Sequence, residues 1–149
     1  MVLTGLSGES TVHHETQMEE GHMSELLRFA PLVGRIFIAL LFVPAGFQKL
    51  TEFQKTVEGV TGVLPLPALA IAAAILIELG GGIVLVIGYK TRWVAAAMAV
   101  FSVVAAVFFH ADFAVAGNQI NFFKNMAIAG GLLQIVYFGA GPLSVDNRK

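Results

Sequence analysis

The amino-acid sequence predicts an all-α integral membrane protein, a four-helix bundle preceded by a disordered N-terminal tail. Hydrophobic residues make up 56% of the 149 residues and charged residues only 13%, about half the charged share of a soluble domain. The apolar residues also fall in long unbroken runs, which predict membrane helices because a chain in lipid must satisfy its backbone hydrogen bonds internally. The length fits one domain.

Residues 1–28 form the predicted tail, because they are polar and acidic and show no apolar periodicity. They lack the basic segment followed by an apolar run that marks a signal peptide. His13, His14 and His22 are a candidate metal-binding tract, but nothing there enforces a ligand geometry, so a solvated tail is the favoured interpretation. Met23 is an alternative translation start.

The remaining domain, residues 29–149, contains four apolar runs of about the length that spans a bilayer. They predict helices at about 31–50, 67–88, 93–109 and 121–140. The short connections favour antiparallel neighbours. The longest connection opens with "TEFQ", which fits a capping box, and the apolar stripe of Phe53, Val57 and Val60 predicts a short helix at the membrane interface. An ordinary surface loop is the alternative.

Basic residues are unevenly divided between the two ends of the predicted bundle. The end that holds both termini carries Arg28, Arg35, Lys90, Arg92, Arg148 and Lys149, whereas the opposite end carries Lys49, Lys55 and Lys124. Loops rich in lysine and arginine stay in the cytoplasm. The sequence therefore predicts a multi-pass membrane protein with both termini cytoplasmic.

Glu78 lies near the middle of the second predicted helix, about 16 Å from its start at 1.5 Å per residue. A carboxylate at that depth costs about 2.5–3.5 kcal/mol on insertion scales, so it is expected to face the bundle interior and to find a partner. Depth counting favours Arg35, roughly 6 Å below Glu78, and puts Lys124 roughly 10 Å and Lys49 about 15 Å above it. The glycines at 80–82 allow another helix to approach closely.

A second polar group is expected at the outer end of the bundle, where helix ends carry Lys49, His110, Asp112, Asn121, Lys124 and Asn125. Ordinary helix-end residues that extend to water are an equally good interpretation of Lys49, Asp112 and Asn121. The candidate polar or ligand-binding pocket therefore comprises Arg35, Lys49, Glu78, His110, Lys124 and Asn125.

Several function classes lose support from the sequence. The chain has no cysteine, so disulfides, thiol redox chemistry, iron–sulfur clusters and cysteine-ligated zinc are excluded. A net charge of −1 gives no basic face for nucleic acid. His110 has no second histidine on another predicted helix to complete a haem site. No nucleophile–base pair or phosphate loop appears, which disfavours independent catalysis.

The order of motifs resembles the DoxX family of bacterial inner-membrane proteins, most closely its YphA-like branch. The likeness covers about residues 28–147 and rests on "GRIFIALLFVPAGFQKL", "ELGGGIVLVIGYKTR", "FFHADF", "NFFKNMAIAGGLL" and "GPLSVD". The resemblance implies a four-helix membrane protein. The family's recurrent positions are matched by Arg35, Gly46, Lys49, Glu78, Thr91, Arg92, His110, Lys124 and Asn125.

The resemblance also implies a place in membrane redox or oxidative-stress metabolism, since the family name comes from subunits related to quinol oxidation. Two hypotheses follow. In the first, the protein is an accessory subunit that holds a quinone or another lipidic ligand and works with a membrane redox partner. In the second, it is a small transporter or permeability factor that uses the buried carboxylate. A homo-oligomer is compatible with both.

Overall fold

The structure, a computed structural model, describes residues 25–148. Five helices are labelled here α1 (Ala30–Thr51), α2 (Phe53–Val60), α3 (Pro67–Ile87), α4 (Thr91–His110) and α5 (Asn118–Phe138). Three helices, Glu25–Thr51, α3 and α4, are long and apolar enough to cross a membrane, and the 21-residue α5 completes the bundle. No β-strand occurs among residues 25–148. The all-α membrane bundle predicted from the sequence is confirmed.

The predicted helix boundaries differ from the observed ones by up to three residues. Residues 25–27, which the sequence placed in the tail, are helical, and Arg28 forms an ion pair with Glu25 at 3.0 Å. The rest of the predicted tail, including the three histidines and Met23, lies outside the described residues. The short helix after Thr51 exists as α2, but Thr51 does not cap it. The Thr51 hydroxyl instead donates to the carbonyls of Phe47 and Gln48 in α1.

The helices alternate in direction, so the bundle has two ends. We call them the Arg35 end, which holds the α3–α4 turn and residues 139–148, and the His110 end, which holds α2 and the α4–α5 loop. The buried core lies toward the Arg35 end, where Leu85, Met98 and Leu132 are fully buried against Phe42 and three alanines. The helices are therefore tightly packed at one end, which leaves the site described below at the other.

α1 and α3 approach closely at two glycines. A Cβ atom built on Gly46 would lie 2.6 Å from the backbone nitrogen of Leu79, and one built on Gly82 would lie 2.7 Å from Val43 Cγ2. A side chain at either position would therefore displace its neighbour, and at Gly46 that neighbour is the backbone of α3. Membrane helices commonly approach closely at small residues in this way. The contact also fixes the register, because it places Gly46 level with Glu78 and Leu79.

Candidate ligand site at the His110 end

Glu78 lies on a π-helical segment, Leu76–Gly81, inside α3. Such a segment adds one residue to a helical turn and is frequent at functional sites. The Glu78 side chain is only 8% exposed and forms an ion pair with Lys49 of α1. Oε1 accepts a hydrogen bond of 3.0 Å from Lys49 Nζ, and Oε2 lies 2.9 Å from the same nitrogen. The buried carboxylate thus has the inward position and the basic partner that membrane burial requires.

The prediction that Arg35 pairs with Glu78 is wrong. The Arg35 side chain is buried at the other end of the bundle, where it donates to the carbonyls of Leu85, Val86 and Leu143 at 3.1, 3.0 and 2.5 Å. The register of α1 explains the error. Arg35 is eleven residues from Gly46, which is level with Glu78, and this corresponds to about 16 Å along the helix.

Depth counting places Lys49 too far from Glu78 because it assumes that both helices end at the same level. In the structure α1 ends five residues after Gly46, whereas α3 begins eleven residues before Glu78. α3 therefore extends beyond α1 by about 9 Å. Lys49 lies less than one turn past Gly46, so its flexible side chain reaches Glu78.

A cavity of about 680 Å³ lies beside this ion pair. Its polar lining consists of Lys49, Thr56, Glu78, His110 and Asn125. The remaining wall is apolar and comes from α1, α2, α3 and α4, with Phe42, Ile71, Ile77, Phe101 and Phe108 among the larger side chains. Apolar walls with a few convergent polar groups are the usual composition of a small-molecule site.

Four of the six predicted site residues line this cavity, namely Lys49, Glu78, His110 and Asn125. His110 Nδ1 lies 3.4 Å from Asn118 Oδ1, and Asn125 donates to the carbonyl of Asn121 at 2.9 Å. Arg35 and Lys124 do not line it. The exposed Lys124 bonds Asn121 Oδ1 at 2.9 Å. Ligand binding by these residues stays a prediction.

Thr56 is a cavity residue that the sequence did not indicate. Its hydroxyl donates to the carbonyl of Glu52, one turn back in the chain. The only available signal was the predicted interfacial helix, which forms part of the cavity wall in the structure. α2 also contributes Val60 to that wall.

Glu78 Oε2 is the chemically distinctive atom of the site. It is buried, and although it shares the charge of Lys49, no described donor has hydrogen-bond geometry toward it. A buried carboxylate oxygen without a hydrogen bond costs free energy, which a donor group on a ligand would recover. The arrangement can therefore hold an apolar molecule whose polar head donates a hydrogen bond.

The polar residues at the Arg35 end form a different, structural arrangement. Asp146 accepts hydrogen bonds from the backbone nitrogens of Lys90 and Thr91, both at 2.8 Å, and from the Thr91 hydroxyl at 2.7 Å. The Asp146 nitrogen in turn donates to the carbonyl of Gly88. Residues 143–146 thereby fasten the C-terminus to the α3–α4 turn beside Arg35. We call this arrangement the C-terminal clasp.

The chain is similar to a known protein family and to proteins of two bacteria. The DoxX family model matches residues 30–111. The inner membrane protein YqjF of Escherichia coli (strain K12) is 35% identical over 130 residues, covering 85% of this chain and 99% of that protein. The inner membrane protein YphA of the same organism is 35% identical over 123 residues, covering 78% and 88%. An uncharacterized protein of Haemophilus influenzae is 34% identical over 122 residues, covering 76% and 86%. No solved structure matches the chain.

Proposed function

The chain belongs to the DoxX family of integral membrane proteins, and on that premise we propose that it binds a lipid-soluble ligand in the cavity at the His110 end. The observation that supports this function is the buried carboxylate of Glu78, a residue that lines a largely apolar cavity. Its Oε2 lies 2.9 Å from Lys49 Nζ but accepts no hydrogen bond from residues 25–148. The ligand is an uncharged ring or chain compound with a hydroxyl head, and a quinol of the membrane pool has this chemistry.

In this proposal each polar group of the cavity has a different role in binding the ligand. Glu78 accepts a hydrogen bond from the ligand hydroxyl, while the ion pair with Lys49 orients the carboxylate. His110 and Asn125 offer further donors and acceptors to the rest of the head. The aromatic side chains of α4 contact the ring or chain. In this role the protein is a ligand-binding accessory component of redox or oxidative-stress metabolism in the inner membrane, and it passes the ligand to a membrane partner protein.

Titration of the purified protein with a decyl-chain benzoquinol, and with the corresponding quinone, tests the proposal. We expect the quinol to raise the thermal unfolding temperature and the quinone, which has no donor, to raise it less. Glu78→Gln should weaken quinol binding about ten-fold or more, because hydrogen bonds to charged groups are worth about 1.5–3 kcal/mol. Glu58→Gln is the matched control, since Glu58 is an exposed carboxylate on α2 at the same end.

Equal binding of both compounds by wild type and Glu78→Gln would contradict the proposal. Native mass spectrometry from mild detergent adds a second readout, because a lipidic ligand and a partner protein should both remain attached to the protein.

The transporter hypothesis has less support. Leu85, Met98 and Leu132 fill the bundle between the cavity and the Arg35 end. A solute could therefore enter the cavity in this conformation but could not cross the bundle. Proton flux into liposomes that contain the purified protein alone would favour transport instead.

A further inference from the structure

A second cavity, of about 540 Å³, lies at the Arg35 end between the start of α4, the end of α5 and the C-terminal segment. Its charged lining residues are Lys90, Arg92 and Asp146, and its aromatic lining residues are Trp93 and Phe138. We call it the Arg92 cleft. It is separate from the ligand cavity described above, and nothing in the proposed function uses it.

The lining of the Arg92 cleft contains two basic side chains, Lys90 and Arg92, and one carboxylate, that of Asp146. In the C-terminal clasp, Asp146 Oδ1 accepts a hydrogen bond from the backbone nitrogen of Lys90. Asp146 Oδ2 accepts hydrogen bonds from the backbone nitrogen and the hydroxyl of Thr91. Arg92, by contrast, forms no hydrogen bond or ion pair with another residue in the range 25–148. Its guanidinium lies beside Gly139, where a Cβ would be 3.6 Å from Arg92 Nε. Within residues 25–148 the guanidinium donors of Arg92 thus have no acceptor, and the side chain is exposed beside the cleft.

The Arg92 cleft lies next to exposed aromatic side chains, which indicate its level relative to the lipid bilayer. Trp93 is 80% exposed and Phe138 is 72% exposed, on adjacent apolar helices. Exposed tryptophan at a helix end is typical of the membrane–water interface. An anion bound beside Arg92 would thus lie at the level of the lipid headgroups, and apolar chains attached to it would extend along α4 and α5 into the bilayer.

We propose that the Arg92 cleft binds the phosphate headgroup of an anionic phospholipid, with Arg92 and Lys90 as its ligands and Trp93 and Phe138 flanking the glycerol region. Basic pockets between membrane helices recognise lipid headgroups in this way. Arginine suits the role because its planar donors match phosphate oxygens in pairs.

Trp93 is the single tryptophan of the chain and lines the cleft, so its fluorescence reports directly on the occupant. The protein is reconstituted in phosphatidylcholine vesicles that contain a fixed fraction of either phosphatidylglycerol or phosphatidylcholine with brominated chains. We expect brominated phosphatidylglycerol to quench Trp93 more strongly than brominated phosphatidylcholine. Lys90→Gln/Arg92→Gln should remove at least half of this excess.

Arg148→Gln is the matched control, because Arg148 is an exposed cation at the same end that does not line the cleft. It should retain the full excess. Equal quenching by the two lipids, or an excess that persists in Lys90→Gln/Arg92→Gln, would overturn the proposal. Loss of the excess when inorganic phosphate replaces chloride at constant ionic strength would also overturn it, by identifying a soluble anion as the occupant.

Discussion

Lys49 and Glu78 show how one ion pair makes a carboxylate tolerable inside an apolar helix. The Lys49 side chain is 28% exposed and that of Glu78 is 8% exposed, so the carboxylate depends on the lysine far more than the reverse. Removal of one member of a buried pair leaves the other uncompensated. The pair is therefore expected to be strongly coupled in its effect on stability.

Lys49→Met should lower the free energy of unfolding in detergent by about 1–2 kcal/mol, below the roughly 3–5 kcal/mol of buried pairs in soluble proteins, because polar contacts in membranes are weaker. Adding Glu78→Gln to this variant should restore most of the loss. Thermal unfolding of the two single variants and the double variant measures the coupling. Lys55→Met is the control, since Lys55 forms an exposed ion pair with Glu52. Strict additivity of the two substitutions would show that the pair is not coupled.

Arg35 stabilises the bundle through geometry as well as charge. Its guanidinium donates to carbonyls on α3 and on the C-terminal segment at the same time. Lysine keeps the charge but has no planar fork, so Arg35→Lys should lower the unfolding temperature clearly. Arg148→Lys, an exposed substitution at the same end, should leave it unchanged. Equal unfolding temperatures for the two variants would contradict the role assigned to Arg35.

At the scale of the helices, the sequence was sufficient for their number and approximate position, because each apolar run of bilayer length has only one way to satisfy its backbone. It was not sufficient for their relative depth. The partner of Glu78 depends on the contact between Gly46 and Leu79 and on the length of α3 beyond α1. The periodicity of a single helix contains neither, so depth counting favours Arg35 over Lys49. For the same reason the sequence does not indicate Thr56 as a cavity residue and does indicate Lys124, which lies outside the cavity.

The approach of α1 to α3 can be tested with two glycines that have the same helical setting and different neighbours. Gly46→Ala places a Cβ 2.6 Å from the Leu79 nitrogen, so the helices must separate and the Lys49–Glu78 pair must lengthen. Gly130 on α5 has nothing within 4 Å of a built Cβ. Gly130→Ala should therefore be neutral or gain up to about 1 kcal/mol from helix propensity. Unfolding temperatures in detergent measure both effects, and a harmless Gly46→Ala would contradict the close contact.

At the scale of the whole molecule, the two ends differ in packing and in charge. The Arg35 end is closed by the core and the C-terminal clasp, whereas the His110 end holds the ligand cavity. The distribution of lysine and arginine favours the Arg35 end in the cytoplasm. The ligand cavity would then belong to the periplasmic half of the protein and the Arg92 cleft to the cytoplasmic leaflet.

Because the chain has no cysteine, this orientation can be tested without a background of native thiols. Val115→Cys places a thiol in the exposed α4–α5 loop, and Asn147→Cys places one at the exposed Arg35 end. In spheroplasts, a membrane-impermeant maleimide should label Val115→Cys at once and Asn147→Cys only after the membrane is opened. The reverse pattern would invert the topology.

The C-terminal clasp has a consequence for the biosynthesis of the protein. Arg35 lies near the start of the described chain, yet one of its carbonyl acceptors belongs to Leu143, and the start of α4 obtains its hydrogen bonds from Asp146. During translation the first three long helices therefore enter the membrane before these partners exist. Until residues 143–146 leave the ribosome, the guanidinium of Arg35 lacks part of its coordination. This end of the bundle can therefore close only after α5 has been synthesised.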